Sequence, residues 1–271
     1  MTALALALTL GVQLTGGAAV PLVDGSPEIH ELRIEVAGRT IRALCTDGSR
    51  RVLLLHGDGS SAETWRSVLE RLDGSVGACA YDRAGSGASI PPPQTRGWFE
   101  LLDELRGIHL ALGFERSYVL VGHALGGLYS RLYAADRPGD VSGLVLLDPS
   151  HEDMPSRVRT GMPRDEWEAW ARRRDEPNSD GVREAHVAER ARGARLPDLP
   201  VTVLTATRRR QGGGWDARFL NEAARQVHAS ILSGITTGRH VPAGRSGHDI
   251  QLDEPDVVVR EILRVIRISG R

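Results

Sequence analysis

Val119-Leu120-Val121-Gly122-His123-Ala124-Leu125-Gly126-Gly127 is the stretch that decides how this chain is read. A short apolar run meets a glycine, then three residues, then two more glycines. That is the spelling of a strand turning sharply into a helix, the Gly-x-Ser-x-Gly elbow that carries a reactive side chain at its apex. Gly122 and Gly126 remove side chains that so tight a turn would crowd. The apex residue is Ala124, whose methyl group can neither attack a carbonyl nor be activated by a base. The turn is spelled for chemistry, and its central atom is absent.

Working outward, strands and helices alternate from residue 29, the pattern of a mostly parallel sheet covered on both faces. Ile29 to Val36 and Thr40 to Cys45 read as an opening hairpin around Ala37-Gly38-Arg39. Arg51 to Leu55 is a strand ending in His56-Gly57-Asp58-Gly59, and Ser60 or Ser61 is placed to cap a helix running to Leu72. Val76 to Tyr81 is the next strand, delivering Asp82-Arg83-Ala84-Gly85-Ser86-Gly87. A helix from about Gly97 to Leu112 precedes the elbow strand, Tyr118 to His123, whose helix runs from Leu125 to Ala135. Val141 to Leu147 carries Asp148-Pro149 at its carboxyl end. Residues 150–198 then break the alternation: they hold no strand pattern, are dense in Arg, Glu and Asp, and suggest short helices near Asp165–Arg174 and Asp180–Arg192. That stretch reads as a helical cap inserted into one domain, with 29–149 and 199–271 as the core. Strand, helix, strand and helix return at Val201 to Ala206, Trp215 to Val227, Arg239 to Ala243 and Pro255 to Ile268.

Composition narrows the function classes. The 271 residues carry a net charge of −1, which gives no reason to expect nucleic acid or an acidic membrane surface as partner. All 34 basic residues are arginine, so a Schiff-base lysine, a Ser–Lys dyad and a phosphate-loop lysine are excluded. The histidines show no ligand spacing, and neither a metal nor a cofactor is expected. Cys45 and Cys79 lack a Cys-x-x-Cys spacing and read as small buried hydrophobes; a disulfide between them requires an exported chain. Thr2 to Val20 is uncharged and apolar with small residues near its end. It is either a signal peptide lacking its basic opening or an apolar arm, so the location is secreted in the first case and cytoplasmic in the second. No other segment is long and apolar enough to span a membrane.

His56-Gly57 after the third strand, Asp82-Arg83-x-Gly-x-Gly after the fourth, the elbow at 122–126, and Ser246-Gly247-His248 before the last helix stand together in one order. The chain from residue 29 resembles the α/β-hydrolase family, most of all its small capped esterase and lactonase-type members with a Gly-His-Ser-Leu-Gly-Gly elbow. The resemblance implies an eight-stranded α/β-hydrolase fold with a short helical cap, and acyl transfer on a small-molecule substrate. It places the nucleophile at position 124, with serine the expected parent residue. His248 is the candidate base, able to take the nucleophile's proton and return it to the leaving group. Asp148 is the candidate orienting acid, since Thr207 to Gln211 offers no carboxylate after the following strand; Glu152, Asp153 and Asp216 are the alternatives. The amides of Asp58 and Leu125 are the candidate oxyanion donors. Gly57, His123, Trp167 and Trp170 are the candidate substrate contacts, and Trp65, Trp98, Phe99 and Trp215 further candidates for an apolar pocket.

The alanine admits three readings. The chain is a serine hydrolase of a carboxylic ester, lactone or thioester disabled at its nucleophile; or a ligand-binding pseudoenzyme; or a non-hydrolytic enzyme in which His248 performs an elimination or cyclisation. The first is the working reading, because base, acid and oxyanion loop all persist around the missing oxygen.

Overall fold

The computed structural model describes residues 27–270, apart from 73, 115–116 and 209–215. The apolar segment at 2–20 and Trp215 lie outside the described residues. Eight strands build one sheet: β1 (Ile29–Val36), β2 (Arg39–Thr46), β3 (Arg50–Leu55), β4 (Val76–Tyr81), β5 (Tyr118–His123), β6 (Val141–Leu147), β7 (Val201–Ala206) and β8 (Arg239–Ala243). Their order across the sheet is β1-β2-β4-β3-β5-β6-β7-β8. β1 pairs antiparallel with β2, and β2 with β4; the remaining neighbours are parallel. This is the α/β-hydrolase fold.

The burial of the strands explains their sequences. β4, β5 and β7 are buried at every residue, which is why they read as continuous apolar runs and not as alternating ones. The edge strand β1 instead exposes Glu31, Arg33 and Glu35, charges that discourage pairing with another chain.

The helices cover both faces: α1 (Arg66–Leu69), α2 (Trp98–Ala111), α3 (Leu125–Asp136), α4 (Met154–Val158), α5 (Arg164–Asp175), α6 (Glu184–Arg192), α7 (Ala217–Ser230), α8 (Ile250–Asp253) and α9 (Pro255–Ser269). One core unites Leu101, Leu105 and Ile108 of α2 with Leu128 and Leu132 of α3 and Val187 of α6. On the opposite face Trp65 and Leu69 meet Val258, Ile262 and Val265 of α9, whose spacing of three and four residues sets one apolar stripe on the sheet.

Three expectations change. The helix at 60–72 is a 3-10 turn at Ala62–Trp65 followed by the single turn of α1. Ser61 makes no side-chain cap bond; the Ala62 amide donates instead to Asp82 Oδ1 at 2.7 Å, so a residue from the end of β4 does the capping. Cys45 and Cys79, expected as free buried thiols, form a disulfide. They face each other directly across β2 and β4, Cα atoms 4.1 Å apart, a pairing that a 34-residue separation hides from the sequence. Among the aromatic candidates, Trp65 is sealed in the core and Phe99 is half exposed, so neither lines a pocket.

Residues 150–198 fall between β6 and β7 and hold α4, α5 and α6. α5 has no fully buried residue. Its Trp167 and Trp170 pack, half-buried, with Val158, Met162 and Ala223 in a small separate cluster. This stretch meets the rest of the fold elsewhere, through a buried ion pair between Arg83 and Asp180 at 2.8 Å.

Candidate active site

The carboxyl ends of β3, β5, β6 and β8 converge, the place where open parallel sheets present their ligand sites. At the end of β5 the chain makes the turn read from its glycines. A side chain at Gly122 would meet the backbone of Gly126 at 2.5 Å, and one at Gly126 would meet the carbonyl oxygens of Leu55 and His56 at 2.5 Å. Only glycines let the elbow close on β3. Ala124, at the apex, has φ 48° and ψ −115°, a conformation that L-residues seldom adopt and that costs of order 1–3 kcal/mol. It is held there by its amide, which donates to Leu147 O at 3.0 Å, and by its carbonyl, which accepts from Ser150, Gly127 and Leu128.

Asp148 follows β6 and is likewise forced to positive φ, at 40°. Its amide donates to Leu204 O at 2.8 Å, and its Oδ1 accepts from the Ala206 amide at 3.3 Å. Its side chain is fully buried, and its Oδ2 accepts from Nδ1 of His248 at 2.6 Å. That bond fixes the tautomer of His248, leaving Nε2 unprotonated and available as a base. The imidazole itself is half exposed, in the loop between β8 and α8. The carboxylate and imidazole come from residues 100 apart. Of the alternative acids, Glu152 pairs with Arg131 through two hydrogen bonds of 2.9 and 2.8 Å, Asp153 pairs with Arg192, and Asp216 caps α7 through the Arg218 amide.

Both candidate oxyanion donors remain open. Among the described residues, no group accepts a hydrogen bond from the amide of Asp58 or of Leu125, the latter at the first residue of α3. The Asp58 carboxylate lies toward the stretch between β6 and β7, accepting from the Ser179 hydroxyl at 3.5 Å. Gly57 brings this loop against the elbow: a Cβ there would lie 3.0 Å from His123 Nδ1 and 3.3 Å from the Ala124 methyl. Behind the loop, Arg83 donates to the carbonyls of both His56 and Gly57. His56 Nδ1 donates to Gly57 O at 2.7 Å, and its Nε2 accepts from the Arg83 amide at 3.3 Å. Burial, and the Arg83 guanidinium after it, push the His56 pKa well below the usual histidine value, so the ring stays neutral.

Two candidate contacts stand differently from their sequence reading. His123 is buried, and both its nitrogens are engaged: Nε2 donates to His248 O at 3.0 Å, and Nδ1 accepts from Gln251 Nε2 at 3.3 Å. It ties the elbow to the loop of His248, with both ring nitrogens engaged. Burial, then the neighbouring His248, lowers its pKa to about 4. Trp170 lines the cavity that opens on Asp148 and His248, whereas Trp167 lines a separate hollow with Arg159, Met162 and Glu168. The two rings still touch, with centroids 5.4 Å apart.

One residue without any sequence signal belongs to the site. His228 of α7 donates from Nε2 to Pro149 O at 2.9 Å, and its Nδ1 lies 3.9 Å from Asp148 Oδ1. The Thr205 hydroxyl bridges His228 Nδ1 and His240 Nε2, 2.7 Å from each. Since His228 Nε2 must donate to a carbonyl, Nδ1 accepts from Thr205 and His240 donates to it. This chain holds the strained peptide that follows Asp148. No motif surrounds His228; only the fold brings α7 to the loop at the carboxyl end of β6.

Known proteins extend the description. The family model for the alpha/beta hydrolase fold matches residues 50–233. An uncharacterized Bacillus subtilis protein, YqjL, is 29% identical over 203 residues, covering 74% of this chain and 78% of that one. A pimeloyl-[acyl-carrier protein] methyl ester esterase of Proteus mirabilis is 30% identical over 104 residues, 38% of each chain. Among solved structures, a thermophilic esterase from Thermogutta terrifontis superposes with a TM-score of 0.63 at 19% identity, covering 89% of this chain and all of that one. An epoxide hydrolase of Vigna radiata gives 0.66 at 13% identity, covering 89% and 99%. The matched segment takes in the elbow and the strand that ends in Asp148 and spans well over half of the sequence, so the chain belongs to the alpha/beta hydrolase fold family.

Proposed function

We propose that this chain is a serine-hydrolase scaffold for a carboxylic ester, lactone or thioester in which alanine occupies the nucleophile position. The observation that carries the reading is the 2.6 Å bond from His248 to the buried Asp148, at strand ends beside an apex residue kept in a strained conformation. A protein that only bound a ligand would have no use for a backbone held at φ 48° or for a carboxylate-oriented imidazole. In the serine form the hydroxyl at 124 attacks the substrate carbonyl while His248 Nε2 takes its proton. The carbonyl oxygen becomes an oxyanion stabilised by the amides of Asp58 and Leu125, each worth about 3–4 kcal/mol to such a transition state. His248 then protonates the leaving group, and water, activated by the same imidazole, releases the acid. Residues 150–198 act as the cap over this chemistry. With a methyl group at 124 no acyl-enzyme forms.

Ala124→Ser is therefore expected to hydrolyse short-acyl nitrophenyl esters with an initial burst, and to label with a fluorophosphonate. The unsubstituted chain does neither. Adding His248→Ala to the serine form should lower kcat by about 10⁴–10⁶-fold. The proposal fails if the serine form neither turns over esters nor labels. Turnover by the alanine form itself, lost on His248→Ala, would favour acid–base chemistry without a nucleophile.

A further inference from the structure

The cavity that opens on Asp148 and His248 has a volume of about 170 Å³, small beside the roughly 300–1,000 Å³ of sites for drug-sized ligands. Its wall on the side of the insertion includes Trp170, Arg174 and Glu184. Trp170 and Arg174 are one helical turn apart on α5, and the guanidinium carbon lies over the indole at 4.8 Å. Arg174 Nε faces Glu184 Oε1, in the first turn of α6, at 3.0 Å. Nε makes no hydrogen bond there, so the guanidinium is set from two sides by stacking and charge, a ring beneath it and a carboxylate beside its inner nitrogen.

Its outer end is unused. Among the described residues, Nη1 and Nη2 of Arg174 have no hydrogen-bond partner, although the side chain is only 11% exposed, and neither nitrogen is sealed from solvent. The other arginines buried to this degree end differently. Arg83 has its terminal nitrogens on the His56 and Gly57 carbonyls, Arg131 has both on Glu152, and Arg42 has one on Glu63 and one on Asp82; Arg96 has one on Glu104 and its other sealed from solvent, out of reach of a ligand. An arginine in a cavity wall whose two parallel terminal donors are unspent has the fork that matches a planar carboxylate. The remaining ionisable groups in that wall do not supply one. Asp148 is committed to His248, Glu184 to Arg174 Nε, and His151 is neutral, its pKa lowered to about 4 by burial and by Arg131.

We infer that the site takes an ester or thioester bearing a free carboxylate a short distance from its scissile carbonyl, with Arg174 gripping that carboxylate from the insertion while His248 serves the carbonyl. The inference rests on the proposed acyl-transfer reading for the position of the carbonyl, but the grip itself needs no turnover. The pair with Glu184 cancels the net charge, so discrimination arises from the two directed hydrogen bonds. A neutral ester of the same length leaves both donors unpaired in a half-desolvated wall, a mismatch that sites built to bond a polar group penalise strongly.

The test is made on the full chain with Ala124 in place, where substrate is bound and not consumed. Monomethyl succinate and methyl butyrate, close in length and differing in the carboxylate, are titrated by calorimetry and by the fluorescence of the tryptophan stacked on Arg174. Monomethyl succinate is expected to bind at least tenfold tighter. Arg174→Gln should bring the ratio of the two affinities close to one, Arg174→Lys should retain part of it, and Glu184→Gln should raise it by removing the competing carboxylate. A ratio near one in the unsubstituted chain, or a ratio unchanged by Arg174→Gln in a protein whose melting temperature is preserved, overturns the inference. Turnover of the nitrophenyl ester by Ala124→Ser is scored separately. Carboxylate selectivity without ester turnover sinks the acyl-transfer reading and leaves the grip standing; ester turnover without selectivity does the reverse.

Discussion

Arg83–Asp180 and Arg174–Glu184 set an arginine against a carboxylate at nearly the same distance, 2.8 and 3.0 Å, yet they belong to different kinds of place. The first lies at the seam between the loop after β4 and the stretch that joins β6 to β7, with both side chains at zero exposure. Every arm of it is used: Arg83 holds the His56 and Gly57 carbonyls, while Asp180 also accepts from Ser86 Oγ at 3.1 Å and Tyr129 OH at 3.4 Å. The second lies at the cavity wall, partly open, with the arginine's terminal nitrogens unspent. Saturation marks a joint, and an open fork marks a surface waiting for a ligand. Burial alone would not separate them; the count of satisfied donors does.

The largest effect should come from breaking the joint. Asp180→Ala leaves the Arg83 guanidinium buried without its counter-charge, which typically costs about 3–5 kcal/mol, a large part of the roughly 5–15 kcal/mol by which a domain is stable. Urea unfolding should show that loss as a shift in midpoint. A loss under 1 kcal/mol would mean that water reaches the seam, and the contrast with Arg174 would collapse. In the Ala124→Ser background the same variant should also impair ester turnover beyond its effect on folding, because Arg83 holds the loop that carries the Asp58 amide.

Acid probes both places at once. Burial is the leading cause that keeps His56, His123 and His151 less basic than a free histidine, the latter two at about 4. In the unfolded chain these rings titrate near 6.5, so below that pH the unfolded state binds protons that the folded state refuses. The stability they contribute is complete above about pH 6.5 and is lost as the pH falls toward 4. Each such ring adds up to about 1.4 kcal/mol per pH unit to the slope. His151→Asn, at the cavity, should flatten the slope between pH 6.5 and 4 by up to that amount. A slope unchanged by this substitution would show that His151 is already charged in the folded protein.

Sequence carried some of this and not the rest, for physical reasons. β5 and its elbow were legible because an apolar run and two obligatory glycines act locally. Asp148 was legible because it stands where an apolar strand stops. The His248 loop was legible from its glycine and from the Glu254-Pro255 helix start. What escaped depends on contacts between distant segments. Asp82 caps the turn at Ala62 in place of Ser61, Cys45 meets Cys79 across two strands, and His228 reaches Pro149 from α7. The motif shows where His123 stands but not its partners, since the loop of His248 and Gln251 takes up both of its nitrogens. Arg174 had no signature in a segment crowded with arginines; its open end is visible only once the partners of the others are known.

The smallest effect should be on folding when Arg174 itself is changed. Arg174→Gln removes one ion contact that lacks hydrogen-bonding alignment at Nε and one stacking contact on Trp170. Partly exposed ion pairs contribute about 0–1 kcal/mol, and an exposed cation–π contact about 0.5–1 kcal/mol. The glutamine keeps an apolar stem over the indole, and Glu184, at 24% exposure, can be rehydrated. The expected cost is about 1 kcal/mol or less, a shift of a few degrees at most in melting temperature, against the several kcal/mol of Asp180→Ala. A cost near 3 kcal/mol would mean that Arg174 is a second joint, fastening α5 to α6. A negligible cost, set beside a lost preference for monomethyl succinate, is what a residue kept for its ligand should give.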